Sequence, residues 1–394
     1  MKKVLIELYD SDALENIISL QLAHYDVLIF MCFKDSDPDL KKRGVIKDVI
    51  TRRTGTEVVF KDASDRDIGS ALTAFEEIET EYPDCFFEVD ITGGDEIFIA
   101  ALGRFLSGGS KNNVSAHRSD IFKGTVEWAM GSKDTPPSLS ASPSLFTFSD
   151  IVKLHGGAVI GSWPEEFGDI EDNKRSEILR VWNAVKNVDW NKFCSISYVN
   201  GVGPDEKGFI SRRISKEHEA DISEQVMEML TKRGIVKKYE ISDGILKYML
   251  RPSAKIEDLY VSSGTVLELY TALAASETGL FHECYTKVLL DCNGIISKTG
   301  SDPTNELDVT LMYGFVPVFI SCKNTEATKE FLYEIKTMAE HFGGKYAIPM
   351  LVTSKPAFQP VKERAKEMHI MLIDDVQSMP LKIFRSAIIR SFRN

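Results

Sequence analysis

The sequence predicts an α/β protein in three parts: a parallel, doubly wound sheet over 1–150, a small connector over 165–252 and a second α/β core over 253–394. Three observations predict it. The first third alternates short apolar strands with segments of helical spacing, the pattern of strand–helix–strand units. The stretch GSKDTPPSLSASPSLFTFSD at 131–150 is rich in Ser and Pro and marks a loop or boundary. The last third sets an apolar helix before a two-strand unit, NELDVTLMYGFVPVFISCKN, and then alternates helix and strand again.

In the first third, residues 4–8 (VLIEL) read as a strand, followed by a polar loop, Tyr9-Asp10-Ser11-Asp12, with good helix-capping residues. Residues 14–23 have helical spacing, and 26–33 (DVLIFMCF) form a fully apolar strand. A strand at 57–60, a helix at 68–80, a strand at 85–91 and a helix at 95–106 follow, the last with Ile97, Phe98, Ala101 and Phe105 on its apolar positions. No Gly-x-Gly-x-x-Gly follows the first strand, which argues against an ordinary dinucleotide-binding fold. The segment Asp90-Ile91-Thr92-Gly93-Gly94-Asp95 lies where a strand ends and a helix begins, the usual ligand crevice of such sheets. Two glycines admit a ligand close to backbone amides, and a helix N-terminus favours an anion. Asp95 and Glu96 suit the helix dipole but repel a phosphate that they face. A tight strand-to-helix turn accounts for the same residues.

In the middle, His155-Gly156-Gly157 with Gly161 reads as a plain turn in preference to a phosphate loop. Residues 176–188 form an amphipathic helix through Ile178, Leu179, Val181, Trp182 and Val185, and 221–233 form another. Residues 235–239 and 245–250 make a hairpin around Ser242-Asp243-Gly244, so the connector reads as winged-helix-like. Its Lys232, Arg233, Lys237 and Lys238 read first as a solvated face and second as a nucleic-acid contact.

The last third carries the chemistry. Glu268 sits on the helix SGTVLELYTALAA, and the strands at 307–313 and 316–322 meet at a turn supplied by Gly314. Centred between Gly314 and Phe315, the hairpin sets Asp308 opposite Ser321 and Glu306 opposite Lys323, all on one face. Two carboxylates, a hydroxyl and a lysine beside Glu268 make a seat for Mg²⁺ or Mn²⁺, which takes oxygen ligands and completes its shell with water and phosphate. Such an ion polarises a phosphoryl oxygen, and a lysine beside it stabilises developing charge. A cross-strand ion pair between Glu306 and Lys323 on a solvated face explains the spacing equally well. Beyond it come a helix at 328–341 ended by Gly343-Gly344, a strand at 345–352, a helix at 359–368 and a strand at 370–373. His282 reads as structural and Lys336 as a solvent lysine.

Composition narrows the function classes. The chain of 394 residues has a net charge of −12, distributed as −10 over 1–150, 0 over 151–252 and −2 over 253–394. A bulk-anionic protein does not bind polynucleotide indiscriminately, and most of the acid lies away from the proposed chemistry. Six cysteines without CxxC spacing argue against structural zinc and for reduced thiols in a cytoplasmic protein. Charged residues interrupt every apolar run short of a membrane span, and MKKVLIELYD reads as a first strand in place of a signal peptide.

Glu268, then Asn305-Glu306-Leu307-Asp308, then Ile320-Ser321-Cys322-Lys323 resemble the PD-(D/E)xK restriction-endonuclease-like core, in the variant fused to CARF domains in type III CRISPR ancillary effectors. The resemblance implies that Glu268 and Asp308 bind the metal and that Lys323 ends the third motif. Ser321 stands where many relatives carry Glu or Asp, which moves one ligand to Glu306 or to the carbonyl of Cys322 and makes single-metal action the safer reading. The first third resembles a Rossmann-like CARF domain, whose Thr-Gly-Gly loop and first polar loop bind cyclic oligoadenylate across a dimer axis. The contacts so implied are Thr92, Gly93, Gly94 and Asp95, with Tyr9, Asp10, Ser11 and Asp12 assigned by position. Cyclic tetra-adenylate is the commonest activator of such effectors.

The expected protein is a homodimeric, metal-dependent nuclease gated by cyclic oligoadenylate, with little sequence preference. Its nucleic-acid substrate stays open between RNA, single-stranded DNA and duplex DNA. Two alternatives stand beside it: a ligand-responsive transcription regulator with an inactive nuclease core, and a ring nuclease that degrades the cyclic nucleotide itself.

Overall fold

The structure is a computed structural model that describes residues 2–35, 40–108, 113–131, 144–161, 172–199, 201–252, 262–294 and 304–392. The expected boundaries at 165 and 253, and most of 131–150, lie outside the described residues.

The first sheet is built from β1 (Lys3–Leu8), β2 (Val27–Phe33), α1 (Leu40–Thr54), β3 (Glu57–Ala63), α2 (Ile68–Glu81), β4 (Phe86–Asp90), α3 (Glu96–Ser107), β5 (Val114–Asp120) and β6 (Thr125–Met130). Its strand order is β3-β2-β1-β4-β5-β6, parallel except for β6. All seven residues of β2 are buried, as a strand covered on both faces requires. Val4, Ile6 and Leu8 pack with Phe75, Phe98 and Leu102 of α2 and α3, whereas Leu5, Leu28 and Phe30 pack with Ile46, Val49 and Ile50 of α1. Each such fully buried side chain contributes about 1.5–3 kcal/mol. The strand order reverses between β1 and β4, so the loops after these two strands share one crevice.

Local expectation fails at 14–23, where only a 3-10 turn at Ile18–Gln21 forms in place of a helix. Asn16 is the reason. Its Nδ2 donates to the carbonyls of Asp10 at 2.7 Å and Asp12 at 3.1 Å, and its Oδ1 accepts from Asp10 N at 2.8 Å. A side chain that binds backbone groups in this way competes with helical bonds.

Next come α4 (Phe148–Leu154) and β7 (Ala158–Gly161). The boundary stretch read as loop therefore contains the start of a helix, capped by a reciprocal Thr147–Asp150 box. Asp150 also takes Arg52 at 2.9 Å and Arg53 at 2.6 Å, which fastens α4 to α1. His155 and Gly156 form the turn that ends α4, as expected.

The connector comprises α5 (Asp172–Val185), α6 (Trp190–Cys194), β8 (Ile210–Arg213), α7 (Glu217–Lys232), β9 (Val236–Ser242) and β10 (Ile245–Leu250), with strand order β8-β10-β9. Asp243 and Gly244 both have positive φ, 52° and 69°, as a two-residue hairpin turn of this twist demands. Arg212 is fully buried at the centre of the unit. It donates to the carbonyls of Phe193, Cys194 and Ile196 at 3.0–3.2 Å, and its guanidinium lies over the Tyr198 ring.

The second large sheet takes α8 (Thr265–Ser276), β11 (Glu283–Asp291), β12 (Thr304–Tyr313), β13 (Val316–Lys323), α9 (Lys329–Gly343), β14 (Ile348–Thr353), α10 (Gln359–Glu367), β15 (Met371–Ile373) and α11 (Leu381–Ser391). Its order is β15-β14-β13-β12-β11-β7, so β7 from the middle of the chain closes one edge. Helix α8 is buried nearly all round, between β11–β13 and the helices α5 and α11. Trp182, Tyr270 and Phe384 stack in series there, with centroids 4.7 and 5.5 Å apart. No helix among the described residues is long and apolar enough to cross a membrane.

Candidate functional site

Two places gather chemistry. The first is a fork in the second sheet. The β12–β13 register is the expected one from Tyr313–Val316 to Val309–Ile320, but pairing stops there. Glu306 and Lys323 are therefore not cross-strand partners: Glu306 is exposed and pairs in register with Leu289 of β11. Lys323 instead lies over the ring of Phe331 at 5.1 Å, with Nζ 3.9 Å from Glu334 of α9. Asp308 fills the opening between the strands. Its Oδ2 accepts from Cys322 N at 2.6 Å and from Ser321 Oγ at 3.3 Å.

Helix α8 brings Glu268 to this fork from its first turn, where a carboxylate suits the helix dipole. Gly264 makes room for it, since a Cβ there would collide with Glu268 Oε1. Glu268 is buried and its Oε2 has no hydrogen-bond partner among the described residues. Burial, and then the charge of Asp308, push its carboxyl up to about 8. Asp308 is raised too, by burial, against the pull of the Cys322 N–H. A buried carboxylate oxygen without a partner beside a second acid is a set that a hard divalent cation would satisfy. Among the described residues no group of three His, Cys, Asp or Glu is placed to hold a metal. Mg²⁺ or Mn²⁺ held by Glu268 and Asp308 would thus draw the rest of its shell from water, a main-chain carbonyl and substrate.

The second place is the crevice at the carboxyl ends of β1, β2 and β4. A cleft of about 290 Å³ there is lined by Tyr9, Asp10, Ser11, Arg66, Gly94 and Asp95, among others. The two loops interlock. Gly94 N donates to Asp10 Oδ2 at 3.2 Å, and Gly94, with φ 89°, lies so close to β1 that a Cβ would come within 2.7 Å of Leu8 O. Burial raises the Asp10 carboxyl, but the N–H groups of Asp12 and Gly94 outweigh it and hold the acid below its usual range. Thr92 faces inward: its N donates to Asp90 Oδ1 at 2.6 Å and its Oγ1 accepts from Ser119 N at 2.8 Å. Beneath it Asp90, Glu88, His117 and Ser19 form a buried network, with Ser19 Oγ 2.8 Å from His117 Nε2 and His117 Nδ1 3.1 Å from Glu88. Asp12 also leaves the crevice, since its Oδ2 accepts from Lys345 N at 2.8 Å. Asp95 caps α3 through Ile97 N and holds Arg66 at 2.6 Å.

No protein-family model matches the sequence, and no curated protein matches it. Solved structures do match in fold over the whole chain. The protein VC1899 from Vibrio cholerae is 13% identical with a TM-score of 0.75, covering 99% of this chain and 98% of its own. Can2 from Sulfobacillus thermosulfidooxidans, solved in complex with cyclic tetra-adenylate, is 14% identical with a TM-score of 0.67, covering 100% and 98%. This chain therefore shares its mixed α/β fold, end to end, with both.

Two residues of these sites escaped the sequence. Arg66, in the loop after β3, brings the cation that faces Asp95 in the crevice; Ser64-Asp65-Arg66-Asp67 carries no motif. Lys287 sits inside β11 with φ 50°, a left-handed backbone that a long side chain rarely adopts. The flanking pairs Thr286–Val309 and Val288–Leu307 set it opposite Asp308. After Asp308 it is the charge that acts most on Glu268, ahead of Lys323. Within a strand sequence such as ECYTKVLLD, nothing announces a left-handed residue.

Proposed function

We propose that the chain is a metal-dependent nuclease switched on by cyclic tetra-adenylate, acting in type III CRISPR defence. The fork between β12 and β13 carries the proposal: Asp308 held by Cys322 N, with the buried, unpartnered Oε2 of Glu268 beside it. The fold shared with Can2, whose structure holds cyclic tetra-adenylate, supports the gating ligand. On this reading residues 1–150 form a CARF domain, 165–252 the connector and 253–394 a PD-(D/E)xK nuclease domain.

Each part then has a role. Glu268 and Asp308 would hold Mn²⁺ or Mg²⁺ with the Cys322 carbonyl, and Glu306, exposed at the rim, stands outside that set. Once bound, the cation supplies charge on a phosphoryl oxygen and lowers the pKa of attacking water. Ser321 Oγ fixes Asp308, and Lys323 faces the developing negative charge of the phosphodiester. In the crevice, Tyr9, Asp10 and Ser11 with Gly93, Gly94 and Asp95 form one half of a ring site, while Thr92 and Asp12, turned away from it, brace the two loops from behind. A second copy of the chain supplies the other half, so the working unit is a homodimer. Ring binding acts by differential affinity for the cleavage-competent arrangement.

The test is a cleavage assay on single-stranded RNA, single-stranded DNA and supercoiled plasmid in Mn²⁺, with and without cyclic tetra-adenylate. Cleavage that requires the ring is expected, falling about 10²–10³-fold in Lys323→Ala. A ring that binds while no polynucleotide is cut, under either metal, would move the reading to a regulator. Loss of the ring itself without polynucleotide cleavage would identify a ring nuclease.

A further inference from the structure

The loop after β1 does more than line the crevice. Glu15, 5% exposed, presents Oε2 to Lys345 Nζ at 2.8 Å and Oε1 to the Tyr346 hydroxyl at 2.6 Å. Asp12 takes the main-chain N–H of Lys345, and a Cβ on Gly344 would run into both Asp12 Oδ2 and His155 Nε2. Residues more than three hundred positions apart in sequence are thus locked through three hydrogen bonds and one close backbone approach. The ring of Phe122, in the β5–β6 turn, adds a contact to Tyr346 at 5.3 Å.

Both ends of this junction lead somewhere. At one end Glu15 Oε2 lies 2.9 Å from where a Cβ of Gly93 would stand, and Asp10 Oδ2 already occupies the Gly94 N–H. A phosphate approaching those amides meets the carboxylates of Asp10 and Glu15 and must displace or repel them. At the other end Gly344, Lys345 and Tyr346 run directly into β14. That strand pairs in parallel with β13 through Ser321–Leu351, Cys322–Val352 and Lys323–Thr353. The path from Gly93 to the fork is therefore a single carboxylate, one turn and one strand ladder.

We infer that Glu15 is a positioning residue that couples the crevice to the fork: an anion at Gly93–Gly94 shifts Glu15 and Asp12, and through Lys345 and Tyr346 resets β14 and β13. This rests on the ring-sensing reading of the crevice. It adds which atoms carry the signal.

The test uses the full chain and cyclic tetra-adenylate, with hydrogen exchange read across 344–353 and ring affinity measured by calorimetry. In the parent the ring changes exchange across this segment. In Glu15→Gln, which keeps the shape and removes the charge, the change is lost while ring affinity stays within about tenfold of the parent, the scale of a modest coupling term. Lys345→Met, altered on the other side of the contact, gives the same separation if Glu15→Gln folds poorly. A ring-induced change that persists undiminished in both variants overturns the inference. So does a parent that binds the ring without any change at 344–353, or a Glu15→Gln that loses the ring outright. A parent that shows the change yet cuts nothing leaves the coupling standing and removes only the nuclease reading.

Discussion

Glu268 keeps its proton to about pH 8 because burial and Asp308 both disfavour its charge. Its folded-state pKa lies above the ordinary 4.5, so between about pH 4.5 and about pH 8 the folded chain holds a proton that the unfolded chain has lost. Stability contributed by this group is therefore highest at the acid end and falls as pH rises through that window. With EDTA present, the urea midpoint of the parent is expected to drop more from pH 5 to pH 8 than that of Glu268→Gln. Equal drops in the two proteins would sink this assignment. Lys287 invites a paired test. Lys287→Gly accepts φ 50° and stays within about 1 kcal/mol of the parent, whereas Lys287→Val, which cannot, loses about 1–3 kcal/mol in urea denaturation. Both variants lack the charge opposite Asp308, so on the proposed nuclease reading both should cleave more slowly, and unchanged cleavage would exclude Lys287 from the site. At this scale the sequence shows Asp308, Ser321 and Lys323 through their spacing about Gly314. It hides Lys287, because a left-handed residue inside a strand has no compositional mark.

Elements were legible where apolar residues keep a period and illegible where polar ones are buried. The strand at 26–33 and the hairpin on either side of Gly314 announce themselves by unbroken apolar runs. Strand β5, VSAHRSD, does not, because Ser115, His117 and Ser119 are polar yet buried in it. Helix α1 buries only Ile46, Val49 and Ile50 among lysines and arginines, too thin a stripe to stand out. The crevice loops predict an asymmetry between adjacent glycines. Gly94→Ala, strained at φ 89° and pressed on the β1 backbone, is expected to cost about 2–4 kcal/mol. Gly93→Ala, at an ordinary φ, meets Asp10 Cβ, Glu15 Cβ and Glu15 Oε2 at 2.9–3.0 Å, of which only the last can swing away, and should cost less, about 1–2 kcal/mol. Thermal denaturation compares them directly, and similar losses would contradict the backbone origin of the difference. In the connector, Arg212→Met leaves three buried carbonyls without their donor and is expected to lose about 3 kcal/mol or more.

For the whole molecule, the sequence suggests three successive parts, but the chain does not lay its sheets down in strict succession. The junction of Glu15 with Lys345 and Tyr346, and the clamp of Asp150 on α1, join segments that no local pattern connects. Strand β7 shows the same thing most plainly. It precedes the connector in sequence, yet it completes the far edge of the last sheet by pairing with β11. A chain shortened to 165–394 would leave β11 as a bare edge, its N–H and C=O groups free to recruit another copy. Such a fragment should form concentration-dependent assemblies more readily than one beginning at 144, which keeps β7 on that edge, although both lose the apolar partners of α4.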